Sequence, residues 1–405
     1  MEKILYITKE YPPYVYGGAG IHLANLTEHL LEICPALHMD VIYRGKKSYT
    51  SGERLTVTSI PNNLLDNFNN ETEFMSGMLD WCKDIITKNR NFDLIHCHTW
   101  STLLPGVLLK LLSRKPLIIT CHSLDIERPW KQEVVANIYF FSTWIEKMAY
   151  LEADAIIAVS NSVKTSLSNR LGINSKKIHV IYNGADHYSQ KSNLTLSELG
   201  LEIDNQIPYA LFIGRLTRQK GLVYLLNAIE RIDYNIQFVI CAGTADSTVI
   251  EKEYLNRINS LKLSGKKIIL VQNVYDKQII SCLYENAQIF INPSIYEPFG
   301  LTIAEALSHG LPIVASKIGG PSEILKENYN SILVEINYDN KKGHFEIDDE
   351  QYTLELTNAI VSMIKDDSLR ARLKANAIHT FEQLPTWNQI AKRHLSIYNS
   401  VIVNT

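Results

Sequence analysis

Two glutamates eight positions apart carry the clearest chemical signal in the chain, in Tyr296-Glu297-Pro298-Phe299-Gly300-Leu301-Thr302-Ile303-Ala304-Glu305-Ala306-Leu307. Pro298 and Gly300 predict a turn after Glu297, and the run from Leu301 predicts an amphipathic helix with Glu305 inside it. The first N–H groups of a helix lack intrahelical partners and form a natural seat for phosphate. One short segment can therefore hold a sugar, a diphosphate and a ribose side by side, which points to a nucleotide sugar. A carboxylate pair can also serve hydrolysis, as acid and nucleophile. The phosphate-binding features around this pair are ones a glycosidase does not need.

The cations that such a ligand requires lie upstream, in Phe212-Ile213-Gly214-Arg215-Leu216-Thr217-Arg218-Gln219-Lys220-Gly221. Gly214 lets the chain leave a strand tightly. Arg215 as a fork and Lys220 as a point charge can grip a diphosphate and stabilise charge growing on a leaving group. Arg218, between them, is assigned to solvent.

The first half offers histidines and glycines. Gly17, Gly18 and Gly20 follow Tyr11-Pro12-Pro13-Tyr14-Val15-Tyr16 and let backbone approach a ligand closely. Their spacing is not G-x-G-x-x-G, so a nicotinamide cofactor is poorly supported. His122 follows an apolar strand candidate and can donate to a sugar hydroxyl. In His96-Cys97-His98-Thr99-Trp100 the two histidines fall on one strand face. No third ligand stands at matching spacing and no D-x-D occurs, so no metal is assigned. His98 with Trp100 as a stacking platform reads better as an acceptor-sugar contact. There is no G-x-S-x-G elbow for a serine nucleophile.

A βα rhythm must position these residues. Strand candidates are 4–8, 39–43, 94–97, 117–121, 155–159 and 178–181, with helix candidates at 21–33, 75–88 and 134–151. The rhythm fades in a polar stretch and restarts with strand candidates at 210–213, 238–242, 268–271, 289–292, 313–315 and 332–334. This predicts an α/β protein of two Rossmann-like domains with parallel sheets. Residues 1–186 form the first, 187–206 a linker and 207–385 the second. A last helix over about 386–405 can pack back on the first domain. Ligands of such sheets bind at the carboxyl ends of strands, in a cleft where the two sheets face each other.

Composition narrows the class. With 405 residues the chain is too long for one ordinary core. Forty basic against forty-three acidic residues give −3, which carries no nucleic-acid or polybasic membrane signature. Six scattered cysteines without a C-x-x-C pair read as reduced thiols of a cytoplasmic protein, mostly core. No apolar run has membrane-span length, and the N-terminus does not read as a signal peptide. Nothing sets an oligomeric state.

Gly214-Arg215 with Lys220-Gly221, then Glu297-Pro298-Phe299-Gly300 with Glu305, resemble the donor site of retaining glycosyltransferases of family four, which have the GT-B fold. Lys9-Glu10-Tyr11-Pro12-Pro13, Tyr16-Gly17-Gly18-Ala19-Gly20, His96-Cys97-His98-Thr99-Trp100, His122-Ser123-Leu124 with Arg128-Pro129-Trp130-Lys131, and Tyr182-Asn183-Gly184-Ala185-Asp186 are similar to its glycogen-synthase-like branch of actinobacterial type. The resemblance covers nearly the whole chain. It departs from bacterial glycogen synthase proper, which has Lys-x-Gly-Gly-Leu at the first loop and a longer chain.

The resemblance implies a metal-independent hexosyl transfer, with glucose of ADP-glucose or UDP-glucose moving to an α-glucan or another sugar acceptor. No cofactor beyond that co-substrate is implied. Arg215 and Lys220 take the donor diphosphate, Glu297 the donor-sugar hydroxyls and Glu305 the ribose. Gly300, Leu301 and Thr302 meet sugar and phosphate, Gly18 lies against the diphosphate, His122 serves the transition state on the C6 side, and Asn183 lines the cleft. Other readings are a lipid, sugar-phosphate or cell-surface polysaccharide acceptor, a nucleotide-sugar 2-epimerase, or a non-catalytic sugar-binding protein.

Overall fold

The computed structural model describes residues 1–15, 17–62, 65, 68–88, 91–185, 192–274, 276–336, 338–339, 346–347 and 349–403. These form two compact units, Met1–Gly184 with Pro385–Thr405, and Ala185–Leu384. Residues 187–191 of the stretch read as a linker lie outside the described residues. The rest of that stretch makes a 3₁₀ turn at Leu196–Leu199, and Ser192 bonds to Glu285 and Gln278 of the second unit.

The first unit is built on an eight-stranded sheet. Its strands are β1 (Lys3–Thr8), β2 (His38–Tyr43), β3 (Tyr49–Ser51), β4 (Leu55–Ser59), β5 (Leu94–His98), β6 (Leu117–Cys121), β7 (Ala155–Ala158) and β8 (Ile178–Val180), in the order β3-β4-β2-β1-β5-β6-β7-β8. All neighbours are parallel except the β3/β4 hairpin. β5, β6 and β7 are buried throughout, as parallel strands covered on both faces must be. That is why they read as mostly apolar runs, broken in β5 by His96 and His98. β3 and β4 carry no clear strand pattern in the sequence because they are short, of mixed polarity and joined through Gly52, with β3 at the sheet edge.

The 134–151 helix candidate is two helices, Gln132–Val135 and Ile138–Glu152. Ala136 has φ 44°, which no helix accommodates. The last helix, Trp387–Val403, belongs to the first unit and packs on the helix Gly18–Ile33. Its Trp387, Ile390, Ala391, Ile397, Tyr398 and Val401 share one core with Leu23, Leu26 and Leu30. Burying one such side chain as fully as Ile390 is worth about 1.5–3 kcal/mol. Gly184 is required beneath this helix, since a Cβ there would lie 2.5 Å from the Trp387 ring.

The second unit carries a six-stranded parallel sheet. Its strands are β9 (Tyr209–Arg215), β10 (Gln237–Gly243), β11 (Ile268–Gln272), β12 (Ile289–Asn292), β13 (Ile313–Ser316) and β14 (Ser331–Val334), ordered β11-β10-β9-β12-β13-β14. A two-stranded ribbon, β15 (Tyr338–Asp339) and β16 (Glu346–Ile347), was not read from the sequence. In each unit the strand order turns outward in both directions from one central strand. For the first unit the switch lies between β1 and β5, and for the second between β9 and β12. The carboxyl ends at a switch point are where such sheets bind ligands.

Candidate active site

The β9/β12 switch point holds most of the second unit's candidates. Arg215 ends β9, and the chain turns through Arg218–Lys220 into the helix Leu222–Arg231. After β12 the chain runs through Glu297 to the helix Leu301–Ser308. Backbone contacts lock the two loops together and tie the second to the loop after β13. Ile295 N–H donates to the Gln219 carbonyl at 2.9 Å, and Gly320 N–H donates to the Glu297 carbonyl at 2.9 Å. Gly221 has φ 63°, and a Cβ there would fall 1.9 Å from the Pro293 carbonyl oxygen, so only glycine lets the loops meet.

That stitching places Lys220 Nζ 2.5 Å from Glu297 Oε2, with the side chains 15% and 9% exposed. Ser294 Oγ lies 3.5 Å from the same carboxylate oxygen. Arg215 does not join this pair. Its Nη1 is 3.2 Å from Asp246 Oδ1, and both side chains remain accessible. Arg218, assigned to solvent from the sequence, makes a two-point ion pair with Glu253 at 2.6 and 2.8 Å. Its guanidinium points to the next helix, Thr248–Leu263, because the 3₁₀ turn separates it from Lys220.

Gly300 is the residue before the Leu301–Ser308 helix, with φ 102°. Leu301 and Thr302 supply the first helical N–H groups, the ones a helix leaves unsatisfied. Asn292 Nδ2 is 3.4 Å from Thr302 Oγ1. Glu305 is buried, and Tyr284 OH donates to its Oε2 at 2.9 Å. Tyr284 is itself stacked on His309, with ring centroids 5.2 Å apart. Gly214 is the penultimate residue of β9, with Lys220 Cγ 3.3 Å from where a Cβ would sit.

The first unit gathers a cluster of histidines. His96 and His98 do share one face of β5, with ring centroids 4.3 Å apart. His96 is fully committed elsewhere: Nδ1 lies 2.8 Å from Tyr398 OH and Nε2 2.8 Å from Thr120 Oγ1. His98 Nδ1 pairs with His122 Nε2 at 2.9 Å. His22, on the Gly18–Ile33 helix, has Nδ1 2.7 Å from Asn183 Oδ1 and its ring edge against His122. His394 of the last helix stands 5.5 Å from His22 by ring centroid. Burial pushes the pKa of His22 down to about 4 and of His394 down to about 3, and those of His96, His98 and His122 well below the usual range. The cluster is therefore a neutral one at neutral pH.

His98 is fully buried, while His122 and Trp100 keep exposed surface. Trp100 stacks on Phe74 at 6.1 Å. Gly18 starts its helix in an exposed position, and the adjacent Gly17 N–H donates to Glu10 Oε2 at 2.8 Å. After His122 the chain is pinned by a buried charge network. Asp125 accepts from Arg128, from Lys131 Nζ at 2.9 Å and from Ser142 Oγ at 2.7 Å, and its own N–H donates to Glu146 Oε2 at 2.8 Å. Burial opposes the Asp125 charge, but Arg128 and Lys131 outweigh it and hold the pKa down to about 2.

Sequence reasoning missed His22, His394, Asp246 and Tyr284. A signal existed for the two histidines. Each sits on the apolar stripe of its helix, His22 among Ala19, Leu23 and Leu26, and His394 among Ile390, Ala391 and Ile397. Nothing in the spacing of Asp246 or Tyr284 marks them.

With this geometry in hand, comparison with known proteins identifies the class. Residues 16–188 match the profile of Glycosyltransferase Family 4, and 200–380 that of Glycosyl transferases group 1. Alpha-maltose-1-phosphate synthase of Mycobacterium tuberculosis is 30% identical over 410 aligned positions, covering 98% of this chain and 99% of the relative. Sucrose-phosphate synthase from Thermosynechococcus elongatus superposes with a TM-score of 0.81 at 20% identity over 100% of both chains. The catalytic domain of Starch Synthase IV from Arabidopsis thaliana, bound to ADP and acarbose, gives 0.70 at 19% identity, covering 99% of each chain. The chain is a glycosyltransferase with the GT-B fold, and it belongs to glycosyltransferase family four. Among the described residues, no helix is long and apolar enough to cross a membrane.

Proposed function

We propose that the enzyme moves glucose from ADP-glucose or UDP-glucose to an α-glucan or another sugar acceptor, with retention of anomeric configuration and without a metal or further cofactor. The observation that carries this reading is the Lys220–Glu297 pair at the β9/β12 switch point, beside the Gly300 helix start. In the second unit Lys220 and Arg215 take the donor diphosphate, releasing the carboxylates that now neutralise them. Glu297 then faces the sugar hydroxyls and Glu305 the ribose, while Gly214, Gly300, Leu301 and Thr302 supply close backbone and a hydroxyl. In the first unit Gly18 and Asn183 serve the donor side. His122 serves the reacting centre, and Trp100 with His98, acting through His122, serves the acceptor.

The bond from sugar C1 to the diphosphate oxygen breaks as the acceptor oxygen bonds to C1 on the same face. The acceptor's proton passes to the departing diphosphate. Arg215 and Lys220 stabilise the charge that this step builds.

A sugar-phosphate acceptor is the second reading, favoured by the product in the name of the mycobacterial relative. The ADP and acarbose of the starch synthase domain favour the glucan. The six free thiols favour work in the cytoplasm. The test is a screen of both donors against α-glucan, maltose, glucose 1-phosphate and a lipid acceptor, with and without EDTA. It reads nucleotide release, product mass and anomeric configuration. Transfer with retention that EDTA does not abolish is expected. An epimer formed from donor alone, or no turnover with any donor, sinks the proposal.

A further inference from the structure

His98 shares a strand face with His96, and the fold gives it further companions. His22 arrives from the helix Gly18–Ile33, His98 from the end of β5 and His122 from the loop after β6. A candidate ligand atom from each lies within 4.8 Å of the others. We propose that His22, His98 and His122 form a binding site for a borderline transition-metal dication, Zn²⁺ foremost.

The lone pairs support this. Asn183 Oδ1 can only accept, so His22 carries its proton on Nδ1 and holds a lone pair on Nε2. That Nε2 is buried and meets no hydrogen-bond partner among the described residues, and His98 Nε2 is buried in the same condition. Orphaned buried acceptors are costly, and a dication satisfies them directly. The Asn183 carbonyl on the far nitrogen of His22 is the outer-shell support that ligating histidines use to fix tautomer and ring direction.

The donor set also selects the ion. Three imidazoles with no carboxylate among them suit Zn²⁺, Cu²⁺ or Ni²⁺ and not Mg²⁺ or Ca²⁺. Zn–N bonds of about 2.0–2.1 Å put tetrahedral ligand atoms about 3.4 Å apart. The candidate ligand atoms lie within 4.8 Å of one another, so the rings must draw together by roughly 1 Å. His122 is the member that keeps some exposed surface, so the site is not sealed from solvent on that side. An ion here occupies a ring nitrogen of His122, so it restrains the proposed transfer and does not drive it.

The test uses the full chain, stripped with a chelator and titrated with ZnCl₂ in a calorimeter. One equivalent bound at about 1 μM or tighter is expected. X-ray absorption of the zinc complex should show three imidazole nitrogens at about 2.0–2.1 Å. His22→Gln and His98→Gln should abolish stoichiometric binding, and Asn183→Ala should weaken it about 10–100-fold. Circular dichroism checks that each variant is folded. The absorption measurement on the unaltered chain decides the matter if a histidine variant does not fold. No stoichiometric binding, an oxygen-dominated shell, or unchanged affinity in folded His22→Gln overturns the site. None of these readouts depends on glycosyl transfer, so failure here and failure of the transferase reading are distinguishable.

Discussion

The two switch points of this molecule solve opposite electrostatic problems. At β9/β12 the side chains are charged and paired across loops, Arg215 with Asp246 partly exposed and Lys220 with Glu297 largely buried. At β1/β5 the side chains are imidazoles kept neutral by burial, and the chain that follows His122 is held by an internal charge network at Asp125. Paired charges near solvent can be exchanged for an anionic ligand at modest cost. A buried network cannot be exchanged, because removing one partner strands the others in low dielectric. The first arrangement suits a site that must release and rebind a diphosphate. The second suits one that must hold a ring in place.

Asp125→Ala should produce the largest change in stability. It leaves Arg128 and Lys131 without their shared carboxylate and should cost roughly 3–5 kcal/mol in denaturant unfolding. A loss below about 1 kcal/mol would mean that the network is no more fixed than a surface pair. Arg215→Ala should show the converse. Turnover should fall about 10²–10³-fold with little change in melting temperature, since the pair it breaks is partly exposed. Equal losses of stability and turnover would erase the contrast.

Acid should reach the histidine side first. His22 has a folded pKa of about 4 against an unfolded value near 6.5, so the unfolded chain binds the proton more tightly. The stability this group contributes is fully present above about pH 6.5 and is lost as pH falls toward 4, at about 1.4 kcal/mol per pH unit. Chelator-treated protein melted between pH 7 and 4 should show at least that slope, because the other buried histidines add to it, and His22→Gln should lower it by about 1.4 kcal/mol per pH unit. Arg218→Ala is the smallest case. Its exposed pair with Glu253 should be worth at most about 1 kcal/mol, with turnover unchanged.

What could be read from the sequence follows from how each site is assembled. Glu297, Gly300 and Glu305 lie in one turn-and-helix segment, and Gly214, Arg215 and Lys220 in another, so local spacing displays them. The histidine cluster draws on positions 22, 98, 122, 183 and 394, and no local pattern joins them. His96 and His98 were adjacent on the strand, yet β5 hands one to Tyr398 and Thr120 and the other to His122.

By itself the sequence determined the βα rhythm, the two parallel sheets and the segments that carry glutamates and cations, because period and turn chemistry are local properties. Tertiary structure decided which charges meet, since pairing depends on loops that are distant in sequence and stitched by backbone, as at Gln219 and Ile295. It also decided that Trp387–Val403 completes the first core and brings His394 and Tyr398 to the histidines. An amphipathic helix announces that it must bury a face, but not against what, because the hydrophobic effect has no direction.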